Sequence, residues 1–177
     1  GERRSKRASN RFLVPLPKLE RDDPDSTLIV ETALQTPVQP ATEKEISCFV
    51  GDFLEGRGDG GIASEYGMAP FRMRVSSVER TFVDKVFAIC DYHLEGRAAD
   101  RQSRHIYDLH MMLGSVALDD DLLRLFDVVR RQRRGQFMCA SAEDGVDLAA
   151  VVESALESEA YRADYESVTL PLLFDPV

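Results

Sequence analysis

Residues 75–113 read VSSVERTFVDKVFAICDYHLEGRAADRQSRHIYDLHMML, and this stretch decides the helical part of the fold. Apolar residues recur at steps of three and four from Val78 to Leu94, which predicts one amphipathic helix. Ser76 stands three residues before Glu79, the spacing of a capping box, and predicts where this helix begins. Ser103 is predicted to cap a second helix.

Two charged residues lie off the apolar faces of these helices. Lys85 is on a polar face of the first, and Asp108 lies beside the buried stripe of the second, which consists of Ile106, Leu109 and Leu113. An ordinary ion pair between the helices explains both residues and contributes at most about 1 kcal/mol if it is exposed. Spacing alone favours this structural interpretation over a catalytic one.

The part of the chain before these helices has the composition of strands. Residues 12–16 and 27–34 are short apolar runs separated by turn-forming residues, and they predict a hairpin or two neighbouring strands. Thr42 and Glu45 again have the spacing of a capping box and predict a helix that can cover the sheet. Residues 71–75 alternate apolar residues with arginine, as an edge strand does.

This order of patterns predicts an α+β fold. We expect a small mixed sheet within residues 1–75, followed by a helical domain, a C-terminal bundle, in residues 76–177. The chain has 177 residues, of which 44% are hydrophobic, so one domain or two small ones can bury a core.

Glu31 is the one charged residue in the apolar run Leu28–Leu34. Burying a carboxylate costs several kcal/mol unless a cation or a metal ion meets it. Two explanations stay open. In the first, the side chain is exposed to solvent or paired with an arginine. In the second, the carboxylate belongs to a metal site.

Composition limits the partners of the chain. The net charge is −9, from 31 acidic and 22 basic residues, so the overall field repels nucleic acid and anionic membranes. Four arginines between Arg130 and Arg134 form a local basic cluster, which is either a solvated helix end or a contact for phosphate or RNA. No run is long enough to cross a membrane, and three widely spaced cysteines indicate a reducing, cytoplasmic location.

The runs Glu79–Ala88 (ERTFVDKVFA) and Arg104–Leu109 (RHIYDL) resemble the helical half of the AbiEii family of nucleotidyltransferase-like toxins, relatives of the polymerase-β-type transferases. The resemblance covers residues 28–113. It implies that Lys85 contacts the triphosphate, that Asp108 is a late carboxylate orienting the nucleotide or the lysine, and that Glu31 helps to hold metal ions. The implied cofactors are Mg²⁺ and NTP. The implied partners are a tRNA, another RNA or a protein as acceptor, and a cognate antitoxin.

The chain departs from the family pattern in one respect. The family has a Gly-Ser turn followed by an Asp-x-Asp strand, and the nearest match here, Asp23-Pro24-Asp25, lies in a predicted turn. We therefore expect this chain to be the later part of a longer transferase and to be inactive by itself. The alternative is a non-catalytic α+β module for protein interaction.

Overall fold

The computed structural model describes residues 9–18, 26–33, 39–98 and 101–173. The chain divides into two compact units, Gly1–Val38 and Gln39–Val177. Four strands and seven α-helices occur among the described residues, which confirms the α+β class. The strands form two separate two-stranded antiparallel sheets, whereas we expected one mixed sheet. The division of the chain into residues 1–75 and 76–177 stays a prediction.

The first unit contains the hairpin that the two apolar runs predicted. Strand β1 (Ser9–Pro15) pairs with strand β2 (Thr27–Ala33), so that Phe12 stands opposite Val30 and Leu13 opposite Ile29. Alternate side chains point to opposite faces of a strand, and here both faces carry large apolar residues. Leu13, for example, is 63% exposed. Leu34, at the end of the predicted strand, lies outside the described residues.

The second unit begins with a strand where we predicted a helix. Strand β3 (Ala41–Ile46) pairs with strand β4 (Phe71–Ser76). Glu43 and Glu45 of β3 stand opposite Arg74 and Arg72 of β4, and such pairs of opposite charge stabilise a sheet. The capping-box spacing of Thr42 and Glu45 was therefore misleading, because the distant partner strand determines the local conformation.

Two helices lie between β3 and β4. Helix α1 (Phe49–Gly56) begins after Cys48, whose Sγ accepts a hydrogen bond from the Gly51 N–H at 3.3 Å. Helix α2 (Gly60–Glu65) follows. We expected the apolar face of this region to cover the sheet, but Phe49 is 93% exposed, and Val50 and Phe53 are exposed as well. Within the described residues that face of α1 stays open.

Helix α3 (Val78–Leu94) is the centre of the second unit, as its apolar stripe predicted. Phe82, Val83, Phe87 and Cys90 are buried in it. The helix is capped by Ser77 and not by Ser76, which ends β4. The Ser77 Oγ accepts a hydrogen bond from the Arg80 N–H at 3.1 Å.

The remaining helices complete the bundle. They are α4 (Ser103–Met112), α5 (Asp120–Arg133), α6 (Leu148–Glu157) and α7 (Glu159–Asp164), with a π-helical turn at Tyr165–Thr169. Helix α3 contacts α4, α5 and α6. The main core joins Phe82, Val83 and Phe87 of α3 with Leu122 and Val129 of α5. None of the helices in the described ranges is long and apolar enough to cross a membrane.

Candidate functional site: a lysine and an aspartate between two helices

Lys85 and Asp108 come together where α3 and α4 pack side by side. The apolar stripe of α3 faces the core and leaves Lys85 at its edge, while residues 105 and 108 share one face of α4 because they are three positions apart. The Lys85 Nζ lies 2.5 Å from the Asp108 Oδ2. The two side chains are 23% and 40% exposed, so a ligand can reach both.

His105 is the third side chain of the lysine cluster, which consists of Lys85, His105 and Asp108. It lies in the run Arg104–Leu109 that carries the resemblance, but the sequence analysis gave it no role. Its Nδ1 lies 3.4 Å from the Lys85 Nζ. Burial lowers the pKa of His105 to about 4, with the positive charges of Lys85 and Arg104 acting in the same direction and Asp108 opposing them. The imidazole is therefore neutral at pH 7. In the tautomer with the proton on Nε2, its Nδ1 accepts a hydrogen bond from the lysine.

The imidazole of His105 stacks on one aromatic ring, that of Tyr92. The rings of Tyr92 and His105 stack with their centroids 6.2 Å apart and an angle of 12° between their planes. The guanidinium of Arg97 lies 5.3 Å from the centre of the Tyr92 ring. Arg104, the residue before His105, is exposed. The stacked rings of Tyr92 and His105 therefore lie beside the Lys85–Asp108 contact, with the cationic side chains of Arg97 and Arg104 next to the rings.

Helix α4, which carries His105 and Asp108, is fixed at its first turn by a distant carboxylate. The buried Asp164, at the end of α7, accepts hydrogen bonds from the N–H groups of Arg101 at 3.0 Å and Ser103 at 2.8 Å. Ser103 Oγ also lies 2.7 Å from Thr169 Oγ1. Burial raises the pKa of Asp164, but the hydrogen bonds from Ser103 and its neighbours lower it by more, so the net shift is downward. Sequence reasoning missed this cap because the two ends lie about sixty residues apart.

The side of α3 that faces α5 carries a second polar network, also missed from the sequence. The buried Asp91 accepts hydrogen bonds from Arg133 Nη2 at 2.7 Å, from the Ser141 N–H at 2.8 Å and from Ser141 Oγ at 2.6 Å. Two helical turns before Asp91, Asp84 pairs with Arg80 at 2.9 Å. This network joins α3 to α5. Because Asp91 and Ser141 are buried, we interpret it as structural.

The basic end of α5 is mostly engaged by the chain itself. Arg130 donates a hydrogen bond to the Val146 carbonyl at 3.3 Å, Arg133 binds Asp91, and Arg134 pairs with Asp144 at 2.5 Å. Of the two interpretations of this cluster, the contacts favour the structural one. The cationic side chains near Lys85 are better placed for a phosphate.

Glu31 lies in the first compact unit, on β2. Arg11 stands opposite it on β1, and its Nη2 and Nε each lie 2.7 Å from the Glu31 Oε1. The Glu31 side chain is 62% exposed. Solvent and an arginine are thus what this carboxylate meets in the hairpin, and its role as a metal ligand stays a prediction.

A magnesium site requires several oxygen ligands around one point. In the described ranges, no group of three or more His, Cys, Asp or Glu side chains is arranged to hold a metal ion. Glu31 is paired with Arg11, and Asp108 is paired with Lys85. Each carboxylate is thus occupied by a cation in this structure and in that state does not fit a metal site, and we derive no step through a metal that this chain would hold.

A groove with a volume of about 530 Å³ lies on the other face of α4, between that helix and α6 and α7. Its walls include Ile106, Tyr107, His110, Leu156, Tyr161 and Tyr165. His105 and Asp108 point away from it, because they lie roughly half a helical turn from residues 106, 107 and 110. The groove is therefore separate from the lysine cluster.

The chain is thus an α+β protein in which Lys85 and Asp108, the two residues that the resemblance singles out in its helical part, lie in contact between two helices. The family model described as "Nucleotidyl transferase AbiEii toxin, Type IV TA system" matches residues 2–176. The chain belongs to this family, and the match extends well beyond residues 28–113, where the resemblance was first seen. No curated protein and no solved structure matches the chain.

Proposed function

We propose that this protein, in its full-length form, is a toxin that transfers a nucleotide from an NTP to an acceptor, with Lys85 in contact with the triphosphate. Membership of the AbiEii family supports the class of reaction. The single observation that supports the site is the 2.5 Å contact between Lys85 and Asp108, in a position that solvent can reach.

The proposed reaction joins an acceptor oxygen to the α-phosphorus of the NTP and breaks the bond to the β-phosphate, which releases pyrophosphate. Positioning and charge stabilisation supply most of the rate in phosphoryl transfer. Lys85 supplies a positive charge next to the phosphates, and Asp108 orients the lysine. We propose the magnesium complex of the NTP as the donor, and we keep Glu31 as a candidate metal ligand once it is released from Arg11.

The proposed acceptor is a tRNA, another RNA or a protein, and the proposed partner is a cognate antitoxin. Because the net charge is −9, an RNA acceptor requires a local basic surface. Lys85, Arg97 and Arg104 offer one. We place the reaction in the cytoplasm, where NTP and RNA are both present.

The test is the incorporation of labelled NTP into RNA and protein, with magnesium or manganese present, by the 177-residue chain and by the full-length product of its gene. In whichever form transfers nucleotide, Lys85→Ala should lower the rate about 100-fold or more, because it removes a charge aimed at the phosphates. Lys44→Ala is the matched control, since Lys44 is an exposed lysine on β3. Equal rates for Lys85→Ala and the wild type would exclude this site.

We expect the 177-residue chain to bind divalent metal weakly and to transfer no nucleotide, since its two candidate carboxylates are each paired with a cation. Robust transfer by this chain would show that the metal site has been misplaced.

The second candidate function is a non-catalytic interaction module. Exposed apolar residues on the β1–β2 hairpin and on α1, including Leu13 and Phe49, favour it. A full-length protein that is inert with all four NTPs but binds a partner protein through these residues would support this candidate.

A further inference from the structure

The ammonium group of Lys85 has three N–H donors, and two of them have partners in the structure. One points to the Asp108 Oδ2 at 2.5 Å and another to the His105 Nδ1 at 3.4 Å. A lysine side chain is flexible, with four rotatable bonds, and by itself does not aim its charge. With two donors engaged, the direction of the third N–H is fixed.

His105 is held rigidly enough to act as such a partner. Its ring is half-buried and stacks on Tyr92. Its helix is fixed at the first turn by the bonds from Arg101 and Ser103 to Asp164. The backbone and the ring plane of His105 are thus both constrained.

We propose that His105 is a positioning residue for Lys85: its neutral Nδ1 accepts one ammonium hydrogen, and together with Asp108 it leaves the third hydrogen for an oxygen of the bound triphosphate. This inference rests on the proposed function only for the identity of the ligand. The arrangement of Lys85 itself can be tested without any reaction.

The state of the imidazole supports this role. A protonated His105 would donate at Nδ1 and would place a second positive charge beside the lysine, so the contact requires the neutral form. Burial and the nearby charges of Lys85 and Arg104 keep the pKa of His105 near 4, which preserves the neutral form throughout the physiological range.

Two substitutions of His105 test the contribution of the acceptor atom independently of the contribution of ring stacking. In His105→Asn the amide oxygen can take the place of Nδ1, whereas His105→Phe keeps the stacking on Tyr92 and removes the acceptor. Circular dichroism and thermal unfolding of both variants would establish that the bundle is intact.

The first readout is the NMR signal of the lysine ammonium groups in protein labelled with ¹⁵N-lysine. The chain has only four lysines, at positions 6, 18, 44 and 85, and Lys85→Arg assigns the signal by removing it. Ammonium hydrogens that are held by hydrogen bonds exchange slowly with water. We expect His105→Phe to accelerate the exchange at Lys85 several-fold, because the ammonium group loses one charge-assisted hydrogen bond. His105→Asn should leave the exchange rate within about two-fold of the wild type.

The second readout is the shift of the Lys85 signal during titration with inorganic triphosphate and with MgATP, which detects weak binding. His105→Phe should weaken the apparent affinity about ten-fold, and His105→Asn should restore most of it. If His105→Phe leaves the exchange at Lys85 unchanged, or if His105→Asn fails to restore it, the positioning role is wrong. If the exchange behaves as expected but neither ligand shifts the wild-type signal, the positioning role holds and the proposed contact of Lys85 with a triphosphate is wrong.

Discussion

Lys85, His105 and Asp108 show how a few contacts turn a surface lysine into a directed charge. An exposed ion pair by itself stabilises a protein by less than about 1 kcal/mol. Asp108 is 40% exposed, so its value to the fold is small. What the pair and the imidazole provide is orientation, which matters more to a ligand than to stability.

His105 should make stability depend on pH in a defined interval. Its folded pKa of about 4 lies below that of a free histidine, so the unfolded chain takes up the proton first as the pH falls. This contribution to the free energy of unfolding is intact above about pH 6.5 and decreases by roughly 1–3 kcal/mol towards pH 4. Urea unfolding at pH 7, 5.5 and 4.5 measures it.

The groups that face His105 are Lys85 and Tyr92 of α3 and Arg104 and Asp108 of α4. His105→Asn should flatten the profile, whereas His110→Asn, at an exposed position of the same helix, should not. The net downward shift of the Asp164 pKa acts below about pH 3.8 and is therefore separable. An unchanged slope in His105→Asn would contradict the assignment.

At the scale of single elements, the start of α3 is set by one hydroxyl. The Ser77 Oγ accepts the Arg80 N–H, and Ser76 next to it belongs to β4. Because a lost N-cap costs about 1 kcal/mol, Ser77→Ala should lower the free energy of unfolding by about that amount. Ser76→Ala is the matched control and should change it by less than about 0.5 kcal/mol. Denaturant unfolding measures both losses. A larger loss in Ser76→Ala than in Ser77→Ala would show that Ser76 is the cap, as the sequence predicted.

The sequence predicted the elements whose conformation is determined by residues close by in the chain, and it missed those determined by distant residues. The stripe of α3 is written within a few residues, and the structure has it. Helix α4 lies where the sequence predicted, but its N-cap is Gln102 and not Ser103, whose hydroxyl lies 2.7 Å from Thr169 Oγ1 instead. Strand β3 was missed because Thr42 and Glu45 imitate a cap, and only the arginines of β4, some thirty residues later, decide otherwise.

The site followed the same rule. Lys85 and Asp108 were identified because the order of residues around them resembles a family, and the packing of α3 on α4 brings them together. His105 lies in the same run, Arg104–Leu109, but nothing in its spacing predicted its contact with Lys85. Asp164 and Asp91 could not be found, since each acts on residues about forty to sixty positions away.

At the scale of the whole molecule, the bundle depends on a buried charge network between α3 and α5. Asp91 is 4% exposed and accepts hydrogen bonds from Arg133 Nη2 and from Ser141. Asp91→Ala would leave a half-buried guanidinium and a buried N–H without their partner. We expect a loss of about 3–5 kcal/mol in the free energy of unfolding.

The control for this prediction is Asp144→Ala. Asp144 also pairs with an arginine of the α5 end, but its side chain is 80% exposed, so its loss should cost less than about 1 kcal/mol. Comparable losses in the two variants, measured by urea unfolding, would mean that burial of the Asp91 network contributes little.

The cap that Asp164 places on α4 also has a consequence for how the protein is made. The ribosome releases His105 and Asp108 long before residue 164, and until then the first turn of α4 lacks the carboxylate that satisfies the Arg101 and Ser103 N–H groups. A nascent chain, or one cut short by a premature stop codon before that residue, therefore presents the lysine cluster on a helix whose beginning is loose. Any activity that uses an ordered cluster therefore waits for the synthesis of residue 164, some sixty positions after the start of the helix that it caps.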